Sequence, residues 1–445
     1  MWERLKLFFT FRDSRFEDLN RQNWKSTTYR DFSAGLVTAM TAIPMAMGFA
    51  MAMGLRPEQG IIAGALACAV GRTFGGSKYQ VYGPTAAFIP LIYAFTQKYD
   101  HSFLVFVSIL AGVVLCLLGM GGLGKIAKLV PNSIVVGFTV GIGITIAATN
   151  LYDVLGITSG GGGNLWAKLQ GVAAHIGEFN IFALVIGLLT FGLTRYLLRV
   201  SIFIPAPLIA VGVSTAITAT LWGEKGLTLI RTKYGEIPTN FFVFTPPSMP
   251  ALTPALMLDI TYFVVGIVFI SGVESLLCSS MADKLAGNRK TPFNPDKEFF
   301  GQGMVQILTP LVNGFPCTGA LARTATSIKA GAVTPLAGYF KCVLKLGMAI
   351  FLARWLELVP MACIGGIMFW VASNMIKVKE IQHVFAGNAF HAFLMAYTAI
   401  MVPMTDFLTG VLSALIIFAV LRGRFDKPEG GKVGDEKKRM AEVAA

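Results

Sequence analysis

Charge is what this sequence has least of: 14% of its 445 residues are Asp, Glu, Lys or Arg, while 54% are hydrophobic and the mean hydropathy is +0.65. Soluble domains carry roughly a quarter charged residues, so a water-soluble core cannot absorb this much apolar surface. Catalytic signatures are also missing. There is no G-x-x-x-x-G-K-[ST] nucleotide loop, a pattern that GNRKTPF near Gly287 fails, and neither an H-E-x-x-H helix nor a nucleophile elbow. ATP-driven pumping and hydrolytic enzyme chemistry are therefore not expected. The six cysteines (Cys68, Cys116, Cys278, Cys317, Cys342, Cys363) stand singly in apolar runs, and His101, His175, His383 and His391 are dispersed. Neither a disulfide framework, a metal site nor any other cofactor is indicated. The first 30 residues lack the apolar core and small-residue cleavage site of a signal peptide, so the first span has to act as its own insertion signal.

What is present is a succession of apolar runs from Phe32 to Leu421. A membrane-crossing helix needs about 20 mostly apolar residues. Polar breaks and Gly/Pro punctuation place spans near 31–51, 58–75, 84–97, 102–121, 131–150, 179–198, 203–222, 259–283, 299–313, 319–332, 334–353, 358–376, 386–401 and 404–422. The expected fold is an all-α membrane protein of about fourteen spans. Its domains are a cytoplasmic segment 1–30, a transport domain 31–425 and a disordered cytoplasmic tail 426–445. The formal charge of +13 does not point to nucleic acid, because the basic residues sit between and beside the apolar runs. Both ends cytoplasmic puts Arg4, Lys6, Arg72, Lys78, Lys125, Lys128, Lys297 and most other basic residues on that face. Only Arg56, Lys98, Lys168, Lys225, Arg231, Lys233 and Arg354 then fall on the other, as the positive-inside rule requires of an inner-membrane protein.

The longest polar break, Gly223 to Leu258, falls halfway and leaves two sets of seven spans, 31–222 and 259–422. An odd number per half inserts the second set upside down, the arrangement of an inverted repeat. In each half the third span is short and follows a Gly/Pro element, YGPTAAF at Tyr82 to Phe88 and FPCTGALART at Phe315 to Thr324. One such element would mark helix packing or a kink. Two at equivalent positions point to a transport site.

A helix that starts at mid-membrane offers unpaired N–H groups and the positive end of its dipole to an anion. Pro84 suits a first helical turn. Thr85, Ala86 and Ala87 in one half, with Gly319, Ala320 and Ala322 in the other, are small enough for a ligand to reach the backbone. Arg323 is an isolated cation in a small-residue run, and intramembrane charges mark substrate or ion paths unless they snorkel or pair with an acid. Glu274, in FISGVESLLCSSMAD, is a candidate to exchange a proton or hold a cation, or else to pair structurally with Arg323. Asp283 is expected to cap or pair locally. Phe49, five residues past Pro44, could wall the pocket or merely pack, and the methionines around it read as adaptable packing.

At these motifs the chain resembles the SulP family of sulfate permease-like anion transporters. The stretches that carry the resemblance are RDFSAGLVTAMTAIPMAMGFAMAMGL (Arg30 to Leu55), GIIAGALACAVGRTFGGSKYQVYGPTAAF (Gly60 to Phe88), SGVESLLCSSMADKLAGN (Ser271 to Asn288) and DKEFFGQGMVQILTPLVNGFPCTGALARTATSIKAGAVTPLAG (Asp296 to Gly338). The resemblance implies seven plus seven inverted spans divided into a core and a gate domain, with an anion between the third and tenth spans. It implies contacts from Thr85, Ala86, Ala87, Leu321, Ala322 and Arg323, mainly through backbone N–H groups, with Phe49 as the aromatic of the first span. Glu274 matches the acidic position linked to proton or sodium coupling. Family members commonly continue into a cytoplasmic STAS domain, whereas about twenty residues follow the last span here. The expectation is a complete transport unit without regulation or dimerisation through that domain, with a homodimer still possible.

The function expected is secondary transport of sulfate or bicarbonate, coupled to H⁺ or Na⁺, by alternating access in the lipid bilayer. The alternatives are permeation of a C4-dicarboxylate or a nucleobase, or a non-transporting membrane subunit. A nucleobase site would want carboxylates on both central spans, and Arg323 on the second argues against it.

Overall fold

The structure is a computed structural model that describes residues 8–10, 13–20, 22–124, 130–159 and 163–425. The expected tail 426–445 and the loop lysines Lys125 and Lys128 lie outside the described residues.

Fourteen helices answer to the expected spans. In the first half they are α1 (Trp24–Ala52), α2 (Pro57–Phe74), α3 (Ile89–Thr96), α4 (His101–Met120), α5 (Asn132–Leu155), α6 (Ile181–Val200) and α7 (Ala206–Leu221). In the second they are α8 (Pro254–Ala286), α9 (Pro295–Leu311), α10 (Leu321–Lys329), α11 (Leu336–Glu357), α12 (Met361–Met375), α13 (Ala389–Met404) and α14 (Phe407–Phe425). Local chemistry sets many of their ends. Asp100 accepts from Phe103 N at 3.3 Å to cap α4, Thr253 from Leu256 N at 3.2 Å to cap α8, and Asn294 from Asp296 N at 3.0 Å to cap α9. Pro57, Pro254 and Pro295 occupy first-turn positions, where a missing N–H costs nothing. Helices α5 and α8 stop at Gly156 and Gly287, both left-handed.

The architecture is a seven-plus-seven inverted repeat. The most extensive helix packing falls inside two groups, a core of α1–α4 with α8–α11 and a gate of α5–α7 with α12–α14. In α1 the apolar window is 89% buried, against 28% in α6, so α1 runs through the interior and α6 lies at the periphery. Among the described residues seven helical stretches, one of them α12 continued to Phe385, have the length and composition to cross a membrane unaided, and the shorter or more polar helices pack among them. The two halves cross at a pair of two-residue strands, β1 (Tyr82–Gly83) and β2 (Thr318–Gly319), paired antiparallel with Tyr82 opposite Gly319 and Gly83 opposite Thr318.

Several details depart from the sequence reading. Helices α1 and α8 extend beyond the expected 31–51 and 259–283, to Trp24–Ala52 and Pro254–Ala286. Short helices at Leu165–Ala174, Ile230–Tyr234 and Val378–Phe385 had no apolar signal long enough to find them. The basic residues Arg72, Lys78 and Lys297, which the positive-inside reading assigns to the cytoplasmic face, are buried. Arg72 donates to the carbonyls of Lys78 and Tyr79, Lys78 pairs with Asp18, and Lys297 pairs with Asp13 at 2.7 Å. Lys78 and Lys297 thereby fasten the N-terminal segment to the core.

Candidate functional site

The strand pair fixes both short helices. Val81 N donates to Thr324 Oγ1 at 2.9 Å, and Ala320 N donates back to Val81 O at 2.9 Å. The chain on each side then turns into a helix. Ala86–Phe88 forms a 3-10 turn that runs into α3, and α10 starts at Leu321. Pro84 is not in the first turn, contrary to the sequence reading. It lies before the N-cap Thr85, and the proline inside the helix start is Pro90. The first N–H groups that find helical acceptors are Phe88 N, to Thr85 O, and Thr324 N, to Ala320 O. No side chain caps either start, so the N–H groups of Ala86, Ala87, Leu321, Ala322 and Arg323 have no helical partner. The two starts differ in access: Thr85, Ala86 and Ala87 are buried, Leu321 is half-buried and Ala322 is exposed.

Arg323 is 4% exposed. Its Nη2 donates to the carbonyl of Pro84, while Nη1 has no hydrogen-bond partner among the described residues. Gly83 makes room for this guanidinium: its φ is +153°, a conformation that L side chains rarely adopt, and a Cβ there would lie 3.1 Å from Nη1. Glu274, half-buried on α8, accepts from Thr85 Oγ1 at 2.9 Å. No ion pair joins Glu274 to Arg323, so the structural pair weighed from the sequence is not made: each charge is tied to a different residue of the first half-helix start. Phe49 is buried in the same apolar cluster as Ala86 and Ala87. Asp283 lies away from this cluster and accepts from Phe293 N at 2.7 Å and Asn288 Nδ2 at 2.8 Å, the local capping expected of it.

Two groups of residues around the site were not anticipated. Glu298 on α9 accepts from Gly76 N at 2.9 Å, Ser77 N at 3.0 Å, Gln80 Nε2 at 2.8 Å, Tyr82 Oη at 2.7 Å and Ser275 Oγ at 2.6 Å, and so moulds the loop that delivers β1. Lys341 and Lys345 on α11 are fully buried and point at α2. Lys341 Nζ donates to Gly64 O at 3.2 Å and Tyr82 O at 2.9 Å, and Lys345 Nζ to Gly60 O at 3.3 Å. These lysines were legible: the intramembrane-charge argument that singled out Arg323 applies equally to GYFKCVLKLGM. Glu298 was not, because a carboxylate directly before the expected span 299–313 reads as a residue at the interface.

Elsewhere, a cavity of about 290 Å³ opens between core residues such as Met51 and Tyr93 and gate residues such as Thr149, Asp153 and Met361. Beside it Lys168 donates to Thr149 Oγ1 at 2.6 Å and lies 5.1 Å from the Tyr93 ring centroid, bridging gate to core. Burial pushes this ammonium down to about 8. Among the described residues no group of His, Cys, Asp and Glu has the geometry of a metal site.

Comparison with known proteins adds a consistent set of relatives. The family model described as "Sulfate permease family" matches residues 29–398. YvdB of Bacillus subtilis (strain 168), a protein named for sulfate transport, is 33% identical over 404 residues, covering 91% of this chain and 74% of its own. Among solved structures, the transmembrane domain of a cyanobacterial bicarbonate transporter, BicA, superposes with a TM-score of 0.74 at 23% identity, covering 87% of this chain and 97% of that one. Murine solute carrier 26 family member A9, an anion transporter in its inward-facing state, gives 0.76 at 16% identity, with 89% and 68% covered.

Proposed function

This chain belongs to the sulfate permease family, a family of multi-pass membrane transporters rather than enzymes, and from that premise we propose that it carries sulfate or bicarbonate across the cytoplasmic membrane. The anion is held between the starts of α3 and α10, with both termini cytoplasmic and H⁺ or Na⁺ as the coupling ion. One observation carries the reading. Five backbone N–H groups without helical acceptors and the unpartnered Nη1 of a buried arginine converge where β1 and β2 cross. Uncapped helix starts are favourable seats for anions, and a guanidinium adds charge that no pH in the cell removes.

Phe49, Thr85, Ala86, Ala87, Leu321, Ala322 and Arg323 form the anion pocket in this account, and Glu274 is the coupling group. Glu274 is tied through Thr85 to the first half-helix start, so a change in its charge is felt at the pocket. Alternating access then moves the core, which owns both half-helices, against the gate. Exposed Ala322 and buried Ala87 support a state in which the second start is the open side.

Uptake into vesicles holding the purified protein tests the proposal, with sulfate, bicarbonate and fumarate each offered under an imposed pH or sodium gradient. Gradient-driven accumulation of an inorganic anion is the expected result. Uptake of fumarate alone would assign the protein to dicarboxylates, and uptake of none would leave it a non-transporting subunit.

A further inference from the structure

We propose that Lys341 and Lys345 form a second tier of positive charge behind the anion pocket and make the protein prefer a divalent oxyanion to a monovalent one. The inference rests on the anion-transport reading and adds to it two residues and a rule of selectivity.

The two ammonium groups lie one turn apart on the same face of α11, and α2 receives them on a matching pair of glycines one turn apart. Lys345 meets Gly60 O, and Lys341 meets Gly64 O together with Tyr82 O of β1. Gly64 is the point of closest approach to the pocket. A Cβ built there would stand 2.2 Å from Lys345 Nζ and 3.1 Å from Pro84 Cδ, while a Cβ on Gly83 would stand 3.3 Å from Gly64 Cα and 3.1 Å from Arg323 Nη1. Lys345, Pro84 and Arg323 therefore crowd around two residues that have no side chain.

Neither lysine has a carboxylate partner among the described residues; their hydrogen bonds go to main-chain carbonyls. Holding α11 on α2 does not call for charge. On the other side of the same crossing, the Cys317 carbonyl beside β2 is served by neutral amides, from Gln302 and, at 2.7 Å, from Gln306. A buried cation without a counter-ion is expensive, and removing water deepens the cost. Two placed beside a buried arginine are a liability unless an anion is bound nearby. The fixed charges around the crossing are Arg323, Lys341 and Lys345 against Glu274 and Glu298, so the cations outnumber the carboxylates and the pull on an anion grows with its charge.

Coulomb energy is proportional to the charge of the ligand. Removing one ammonium should therefore cost a dianion twice, on a logarithmic scale, what it costs a monoanion. The test is initial-rate uptake of sulfate and of bicarbonate by vesicles holding the full chain, as wild type, Lys345→Met and Lys341→Gln. The glutamine keeps a donor for the Tyr82 carbonyl and removes only the charge. The expected result is a KM for sulfate raised about tenfold and a KM for bicarbonate raised about threefold, with kcat changed less than either.

Equal losses for both anions, or a fall confined to kcat, would make the lysines helix fasteners and overturn the inference while leaving anion transport standing. Wild-type protein that imports neither anion would overturn the reading underneath it, and this inference with it. Should neither variant fold, competition against wild-type uptake decides. Selenate displacing substrate at lower concentration than nitrate supports the proposal, and the reverse order defeats it.

Discussion

Arg323 reaches from the first turn of α10 across to the carbonyl of Pro84, so the cation of one half of the repeat holds the residue that introduces the half-helix of the other. The contact ties together two segments 239 residues apart in sequence. It leaves the second terminal nitrogen, Nη1, for something else.

Arg323→Ala is expected to reduce anion affinity strongly while membrane insertion stays intact. Arg323→Lys should restore only part of it, because a point charge replaces a planar fork that can hold Pro84 and a ligand together. Concentration-dependent uptake at matched expression measures both, and normal affinity in a well-folded alanine variant would remove Arg323 from the site.

Glu274→Gln should abolish accumulation driven by a gradient and preserve anion-for-anion exchange. Glutamine can still accept from Thr85 Oγ1, so the structural role of the hydrogen bond at 2.9 Å survives and only the titratable charge is lost. Paired counterflow and gradient-driven uptake assays separate the two activities. Concentrative uptake by the variant would place coupling elsewhere.

Bulk should hurt more than lost polarity at the half-helix starts. Thr85→Val removes one hydrogen bond, about 1 kcal/mol or somewhat more to a charged partner, and should transport at reduced rate. Ala322→Leu should fold normally, since Ala322 is exposed, and yet block uptake by covering the α10 N–H groups. Ala87 is buried, and Ala87→Leu adds an overpacking cost of roughly 1–3 kcal/mol, so its loss of uptake has to be read beside its thermal stability. Abolished transport in the valine variant with normal transport in both leucine variants would refute a backbone cradle.

Glu298→Ala strips the acceptor from five donors that burial keeps from water. Each orphaned donor costs on the order of 1–3 kcal/mol when nothing replaces its partner, so thermal unfolding should show one of the largest losses of any single substitution in the core. Glu298→Gln, which keeps acceptor capacity on one oxygen, should fall between it and wild type. A near-normal melting temperature for the alanine variant would mean the loop before β1 is held by other contacts.

Much of this was legible in the chain because the membrane writes its demands in long runs. The fourteen spans, the break at mid-sequence and the interrupted third span of each half follow from apolar length and from Gly and Pro alone. The strand pair at the crossing was not, since two residues of β structure carry no periodic signal. Buried polar residues divided by context. Arg323 stood out among alanines and threonines, whereas Arg72, Lys78 and Lys297 sat where the positive-inside rule already explained them. The carboxylates that pair with Lys78 and Lys297, Asp18 and Asp13, lie in the N-terminal segment, so only the folded chain brings them together, while Arg72 turns back on the carbonyls of the loop that follows its own helix. Pro84 was misplaced for a similar reason. A proline suits a first helical turn in general, but here the extended register with β2 continues through Gly83 and delays the helix to Ala86.

The central claim is that an anion sits between the two half-helix starts, and selenate offers the most direct test of it. A crystal of the methionine-containing protein grown with selenate, measured at the selenium edge, locates the dianion without assuming its ligands. The account predicts one anomalous peak within hydrogen-bond reach of the N–H groups of Ala86 or Ala87 and of Ala322 or Arg323, close to the Arg323 guanidinium, and its disappearance in Ala322→Leu. A selenate peak bound elsewhere, with the crossing of β1 and β2 left without one, would contradict it.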